Sequence, residues 1–193
     1  MDHKQTSILS LFVLALFCLA APLWATGQSE APSDEQAAAP SDTVVVQEPV
    51  RFTDSRGVTV ELPETPRRII SLGPNITETV FALNKGDLLV GRTDWCDYPA
   101  EVSGIASVGG LQDPNLEALV ALNPDLVIAS THVDPEVLSK LESFSIPAVL
   151  IYGEESFEGM EDVISGCAAL LGAEDRGKEL LKDIRSRREA VAA

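Results

Sequence analysis

Five short apolar runs, separated from one another by polar loops, constrain the fold of this sequence more than any other feature. The runs are unbroken rather than alternating, as in RIISL and DLVIA, which is typical of strands that are buried on both faces. Most of the intervening segments have the apolar periodicity of helices. The predicted strands are residues 68–72, 88–91, 106–108, 125–129 and 148–152.

Alternating strands and helices predict an α/β fold, here a Rossmann-like, mostly parallel sheet with helices on both faces. A β-hairpin is predicted to precede the sheet, because residues 50–62 alternate in polarity around the turn sequence Asp54-Ser55-Arg56-Gly57. A long C-terminal helix is predicted to follow it. The predicted helices are 75–83, 116–122, 135–144, 157–171 and 173–193, with Gly172 as a stop signal between the last two.

Capping residues define the expected helix starts. Asn75 and Glu78 form an N-x-x-E pair typical of a capping box. Asp113 and Asp134 each precede a proline, which predicts a cap followed by proline at the first helical position. In the helix that follows Asp134, four apolar residues are predicted to share one buried face. They are Val137, Leu138, Leu141 and Phe144.

Residues 1–27 have the composition of an export signal, with an apolar run at 8–21 and small residues after it. The run is short for a membrane span, and a retained membrane anchor is the alternative interpretation. Cys18 is a candidate lipid-anchor site, although Phe17 occupies the preceding position, where a lipoprotein signal has a small residue. Residues 28–47, rich in Ala, Pro, Ser and acidic residues, are predicted to be a disordered linker.

The charge balance bears on the class of partner. The 193 residues carry a net charge of −16, whereas a nucleic-acid-binding domain presents a basic face. The sequence therefore argues against a nucleic-acid partner and leaves small ligands open.

All three tryptophan and tyrosine residues after the leader fall in or beside the loops that follow predicted strands. They are Trp95, Tyr98 and Tyr152. Ligands of open α/β sheets bind outside the carboxyl ends of the strands, and a rim aromatic can stack on a planar or cationic ligand. We therefore expect Trp95 and Tyr152 to face a ligand, whereas Tyr98, directly before a proline, is expected to pack against its own loop.

No catalytic constellation accompanies these aromatics. The sequence has no G-x-S-x-G, no G-x-G-x-x-G and no spacing typical of a metal site, so it predicts neither an enzyme nor a bound cofactor. His132, the only histidine outside the leader, is a candidate for contact with a ligand or a metal, although a single histidine without a partner is more often a solvated loop residue. Asn75 begins a helix whose N-terminus could receive an anionic group.

Two cysteines, Cys96 and Cys167, lie beyond the leader. In an oxidising compartment they could pair. Because Cys167 lies within the apolar helical stretch VISGCAALL, a buried free thiol is the preferred interpretation.

Four segments carry a resemblance to a known family: RRIISLGPNITETVFALN, VGRTDWCDYPAEV, SVGGLQDPNLEALVALNPDLVIAS and LESFSIPAVLIYG. They resemble the amino-terminal lobe of the periplasmic solute-binding proteins for vitamin B12 and iron–siderophore complexes, which serve ABC importers. The resemblance covers about residues 50–193, and NLEALVALNPDLVIA is its most specific part.

The resemblance implies two lobes joined by one long helix, with the ligand held between them. Residues 48–172 would be the N-terminal lobe and 173–193 the start of the interlobe helix, with the second lobe absent from this sequence. Trp95 stands where B12-binding members place a ring-stacking aromatic, and Leu111 aligns with a second aromatic of those members. Glu117 matches the acidic residue that docks on arginines of the permease; favourable charge at a helix start is its alternative role.

The function implied is the substrate-binding component of an ABC importer, located in the periplasm and either released or anchored as a lipoprotein. Its ligand would be an iron–siderophore, haem or a cobalamin-type molecule. Two alternatives stay open on the same architecture, namely an enzyme such as a hydrolase and a sensor module that presents the same lobe to a partner.

Overall fold

The computed structural model describes residues 49–153 and 155–192. The predicted export signal, the predicted linker at 28–47 and Cys18 lie outside these residues. Within the described ranges, no helix combines the length and the apolar character that a membrane crossing requires.

A five-stranded sheet of entirely parallel pairs forms the centre of the fold. The spatial order is β5-β4-β3-β6-β7. The strand that comes first in the sequence, β3, therefore lies in the middle of the sheet, and the later strands flank it on both sides. This confirms the predicted Rossmann-like, doubly wound arrangement. The strands are β3 (Ile69–Leu72), β4 (Leu89–Arg92), β5 (Ala106–Ser107), β6 (Leu126–Ala129) and β7 (Ala148–Leu150).

The predicted hairpin is a separate antiparallel pair, β1 (Val50–Thr53) and β2 (Thr59–Leu62). Its turn is fastened to β7, because Ser55 N–H donates to the carbonyl of Leu150 over 2.9 Å. The hairpin therefore packs on the sheet instead of extending from it.

Helices cover both faces of the sheet, as predicted. Ile69 and Ile70 are adjacent in β3 and both fully buried, yet they belong to different core clusters, one on each face. Helices α1 and α4 pack with the hairpin on the first face, and α2 and α3 pack on the second. The helices are α1 (Pro74–Ala82), α2 (Leu116–Ala121), α3 (Pro135–Ser143), α4 (Phe157–Leu170) and α5 (Glu174–Ala192).

Helix α5 is the long C-terminal helix that the sequence predicts, and it lies against α4. Gly172 between them has φ +57°, the left-handed region that favours glycine, which confirms it as the stop signal. Arg185 on α5 donates two hydrogen bonds, of 2.8 and 2.5 Å, to Glu161 on α4. The hydrogen-bonded guanidinium lowers the pKa of Glu161 by stabilising its charged form.

Two of the predicted caps are wrong and one is confirmed. Helix α1 begins at Pro74 after Gly73, with no side-chain cap, because the proline starts the helix one residue before Asn75. Helix α2 begins after Asn115, whose side chain accepts from Ala118 N–H over 3.1 Å, since Pro114 is held extended by a bridge to Gly109. Asp134 caps α3, as predicted, by accepting from Glu136 N–H.

Phe144 departs from its predicted place in the buried face of α3. The helix ends at Ser143, so Phe144 is the C-cap residue and leaves the helical period. Its side chain is 58% exposed, whereas Leu138 and Leu141 are fully buried.

Cys96 and Cys167 are both buried free thiols, which confirms the preferred interpretation for Cys167 and shows no pairing between the two. Burial among apolar side chains of α4 raises the pKa of the Cys167 thiol to about 12. This thiol therefore stays protonated at any physiological pH.

Candidate ligand-binding site

The carboxyl edge of the sheet has its switch point between β3 and β6. The two loops that leave these strands are in direct contact, because Ser130 Oγ donates to the carbonyl of Leu72 over 3.1 Å. A side chain at Gly73 could not fit, since its Cβ would lie 2.4 Å from Ser130 Oγ. The loops of the neighbouring strands therefore surround a closely packed centre.

One cavity of about 480 Å³, here named the Trp95 cavity, opens beside this centre. Its walls come from the loops that follow three different strands, β4, β5 and β6. The fold thus brings together three residues that the sequence singled out separately, Trp95, Leu111 and His132. The complete lining is Trp95, Gly110, Leu111, Gln112, Asp113 and His132.

Trp95 occupies a tight turn whose two ends are buried. Cys96 N–H donates to the carbonyl of Thr93 over 3.1 Å, and both of these residues are almost fully inaccessible. The Trp95 side chain between them is 68% exposed. The turn therefore holds its backbone in the core while it presents the indole to solvent.

A second set of hydrogen bonds joins this turn to the loop that carries Leu111. Asp94 N–H donates to the carbonyl of Gly109 over 2.9 Å, and the Ser107 hydroxyl donates to the Asp94 carboxylate. Gly109 has φ +93°, which a glycine adopts without the steric cost that a side chain would add. Two walls of the Trp95 cavity are thus fixed to each other.

His132 is held at the opposite wall by its neighbours. Val133 N–H donates to the carbonyl of Ser130 over 3.2 Å and the Val133 side chain is buried, so the turn is anchored on both sides of the histidine. The His132 side chain itself is exposed. An exposed imidazole at this wall is within reach of a ligand that enters the cavity.

Asn75 lines a different cavity, of about 460 Å³, between the starts of α1 and α4. The structure therefore does not bring Asn75 together with Trp95. This second cavity, here named the Asn75 cavity, is mainly apolar. It is lined by Asn75, Thr79, Gly153, Glu155, Ser156, Phe157, Gly159, Met160 and Val163.

The remaining predicted residues lie outside both cavities. Tyr152 follows β7 at the same edge and is 49% exposed, with its N–H donating to Ser55 Oγ over 2.8 Å. Tyr98 is 66% exposed, so the expectation that it packs into its own loop is wrong. Glu117 is exposed in the first turn of α2.

Sequence reasoning missed Arg92, which directly precedes the Trp95 turn. One of its terminal nitrogens donates to the carbonyl of Thr93 over 3.0 Å. Its Nε is buried without a hydrogen-bond partner in the described part of the chain. The usable signal was its position at the carboxyl end of β4, where a charged residue interrupts an apolar run.

The Trp95 cavity combines a flat indole, an aliphatic side chain, an imidazole and two polar side chains. This set suits a ligand with a broad apolar face and polar edges. Residues 49–153 and 155–192 hold no group of three histidine, cysteine or acidic side chains that could bind a bare metal ion.

The chain is similar to a known protein family and to individual known proteins. Residues 69–193 match the family described as periplasmic binding protein. The chain is 31% identical over 141 residues to an ABC transporter substrate-binding lipoprotein of Bacillus subtilis, a match that covers 72% of this chain and 45% of that protein. It is 40% identical over 87 residues to a vitamin B12-binding protein of Pectobacterium carotovorum, covering 45% and 32% respectively.

A solved structure of a periplasmic heme-binding protein is also similar to this fold. The crystal structure of a periplasmic heme-binding protein from Pseudomonas aeruginosa superposes with a TM-score of 0.62 at 28% identity, covering 65% of this chain and 46% of that one. The chain thus spans less than half the length of each of these relatives.

Proposed function

The chain belongs to the periplasmic binding protein family, and from this membership we propose that it is the ligand-binding component of an ABC importer. It captures its ligand outside the cytoplasmic membrane and delivers it to the permease. The enzyme and sensor alternatives draw no support from the comparisons or from the residues at the carboxyl edge.

The proposed ligand is a metal chelate with an extended face, of the corrinoid or haem type, with an iron–siderophore as the third candidate. One observation carries this choice: Trp95, Leu111 and His132 line a single cavity. An indole stacks on an extended ring system, and a leucine beside it adds apolar contact. The relatives named for vitamin B12 and heme support the same class of ligand.

The described residues supply one side of this site. The proposed partner side is a second lobe, since the relatives are more than twice as long as the part that matches. In this arrangement residues 48–172 form one lobe and α5 begins the interlobe helix. A single lobe would bind its ligand less tightly than a closed pair, because one face of the ligand stays in water.

Glu117 is the proposed contact with the permease. Its carboxylate is exposed in the first turn of α2, where a cation on a partner can reach it. Asn75, Tyr152 and the Asn75 cavity lie at the same edge of the sheet and are proposed to meet the ligand or the second lobe. A lipid on Cys18 is the proposed anchor, in keeping with the lipoprotein among the relatives.

Tryptophan fluorescence tests the ligand proposal. A Trp24→Phe variant of the full chain leaves Trp95 as the only tryptophan. We expect haemin or cyanocobalamin to quench its emission saturably, because a stacked chelate lies in contact with the indole. Free N-acetyltryptophanamide at the same absorbance is the control for light absorbed by the ligand.

A ferric siderophore is titrated in the same way. If none of the three probes quenches Trp95 beyond the free-indole control, the proposed ligand class is wrong.

A further inference from the structure

Next to the exposed Trp95 side chain in the sequence is a residue that does not line the cavity. Cys96 follows it directly and is only 2% exposed. The Trp95 cavity is lined by Trp95 and not by Cys96, so the thiol points away from the proposed ligand.

The Cys96 thiol lies between two hydroxyl groups. Thr77 Oγ1 on α1 donates to Cys96 Sγ over 3.1 Å, and Thr93 Oγ1 lies 3.2 Å from the same sulfur. Thr77 also contacts the hydroxyl of Ser71 on β3. These four residues are all buried, and they connect the Trp95 turn to the strand at the centre of the sheet.

We propose that Cys96 is a positioning residue: its thiol, held between Thr77 and Thr93, fixes the turn that presents the Trp95 indole to the ligand. The proposal rests on the proposed ligand site and names a residue that sets its geometry from below.

The physical reason is the cost of immobilising an exposed side chain on binding. An indole on a loose turn must lose that freedom when the ligand arrives, whereas an indole on a fixed turn has already lost it during folding. One backbone hydrogen bond, from Cys96 N–H to the Thr93 carbonyl, closes the turn, and Asp94 on the other side of Trp95 is bound to Gly109. The side chain of Cys96 adds a restraint on the C-terminal side of Trp95.

The test uses the full chain with Trp24→Phe and compares four further substitutions. Cys96→Val removes the sulfur at similar volume, and Cys96→Ser keeps a hydrogen-bonding atom. Cys167→Val is the matched control, since it changes the other buried thiol, which lies on α4 in the core. Thr77→Val removes only the hydroxyl and serves as a second probe if Cys96→Val does not fold.

The first readout is the time-resolved fluorescence anisotropy of Trp95 without ligand. We expect Cys96→Val and Thr77→Val to increase the fast-decaying fraction, Cys96→Ser to restore most of the original decay, and Cys167→Val to leave it unchanged. An unchanged decay in folded Cys96→Val or Thr77→Val overturns the proposal.

The second readout is the affinity for haemin or cyanocobalamin, whichever the parent chain binds. We expect about tenfold weaker binding in Cys96→Val, a size equivalent to freezing one side chain. Cys167→Val should retain the parent affinity. Should the parent bind neither probe, the ligand class is at fault, and the anisotropy still decides whether Cys96 positions Trp95.

Discussion

Two short turns of this molecule treat their polar and aromatic groups in opposite ways. In the hairpin turn, Asp54–Gly57, the charged side chains make hydrogen bonds within the fold. The Trp95 turn, Thr93–Cys96, buries its ends and leaves its largest side chain in water. The difference separates a turn that serves the stability of the lobe from one that is available to a ligand.

In the hairpin turn the carboxylate of Asp54 accepts four hydrogen bonds. It accepts from the N–H groups of Arg56, Val58 and Leu150, at 2.9 to 3.1 Å, and from Arg56 Nε over 2.7 Å. Arg56 also donates to the carbonyl of Ala148 on β7. Burial alone would raise the pKa of Asp54, but these donors outweigh it and lower the pKa.

The largest expected effect is therefore on stability, from Asp54→Ala. The substitution leaves three backbone N–H groups and Arg56 Nε without their acceptor, at a cost of about 3 kcal/mol in the free energy of unfolding. Urea denaturation measures it. Glu61→Ala, which breaks an exposed ion pair with Arg51 on the same hairpin, is the control and should cost less than about 1 kcal/mol. Equal losses of stability in the two variants would show that the Asp54 contacts stabilise the fold no more than an exposed ion pair does.

The contribution of Asp54 to the free energy of unfolding should depend on pH. The pKa of Asp54 is lowered in the folded state, so between the two pKa values the unfolded chain binds more protons and stability rises with pH. The contribution is fully present above the unfolded pKa, near 3.8, and is lost as the pH falls through the folded value. The difference in unfolding free energy between the parent and Asp54→Asn should be constant from about pH 5 to 7 and shrink in stronger acid.

The next largest effect is on binding, from Trp95→Ala. Because the indole is exposed, its removal should leave the melting temperature nearly unchanged, whereas affinity for the bound chelate should fall about thirtyfold, or 2 kcal/mol. Isothermal titration calorimetry and thermal denaturation measure the two quantities. Tyr98→Ala removes a similarly exposed aromatic outside the cavity and should bind normally. A loss of stability in Trp95→Ala that matches Asp54→Ala would show that the indole is structural.

The smallest effect on the isolated chain is expected from Glu117→Ala. The carboxylate favours the start of α2 by about 0.3–1 kcal/mol, and it lies outside the cavities, so ligand affinity should be unchanged. Uptake of the ligand by cells that carry the complete transporter should nevertheless fall. Glu136→Ala, in the first turn of α3, is the matched control. Normal uptake by Glu117→Ala would exclude a docking role.

The sheet and its helices were predictable because local signals agreed. Unbroken apolar runs marked strands that are buried on both faces, and Asp134 with Pro135 marked the start of α3. Trp95 was predictable as a rim residue because it follows a strand in a polar loop. The starts of α1 and α2 were not, since α1 begins at Pro74 without a side-chain cap and the cap of α2 is Asn115 instead of Asp113.

By itself, the sequence determined the order and type of the elements, because periodicity and capping act over a few residues. The tertiary structure alone decided which residues meet. It joined Trp95, Leu111 and His132 in one cavity, although they span 38 positions, and placed Asn75 in another. It also set the thiol of Cys96 against a hydroxyl from α1. Such contacts depend on strand order and on how helices pack across the sheet, and no local pattern in the chain encodes either one directly.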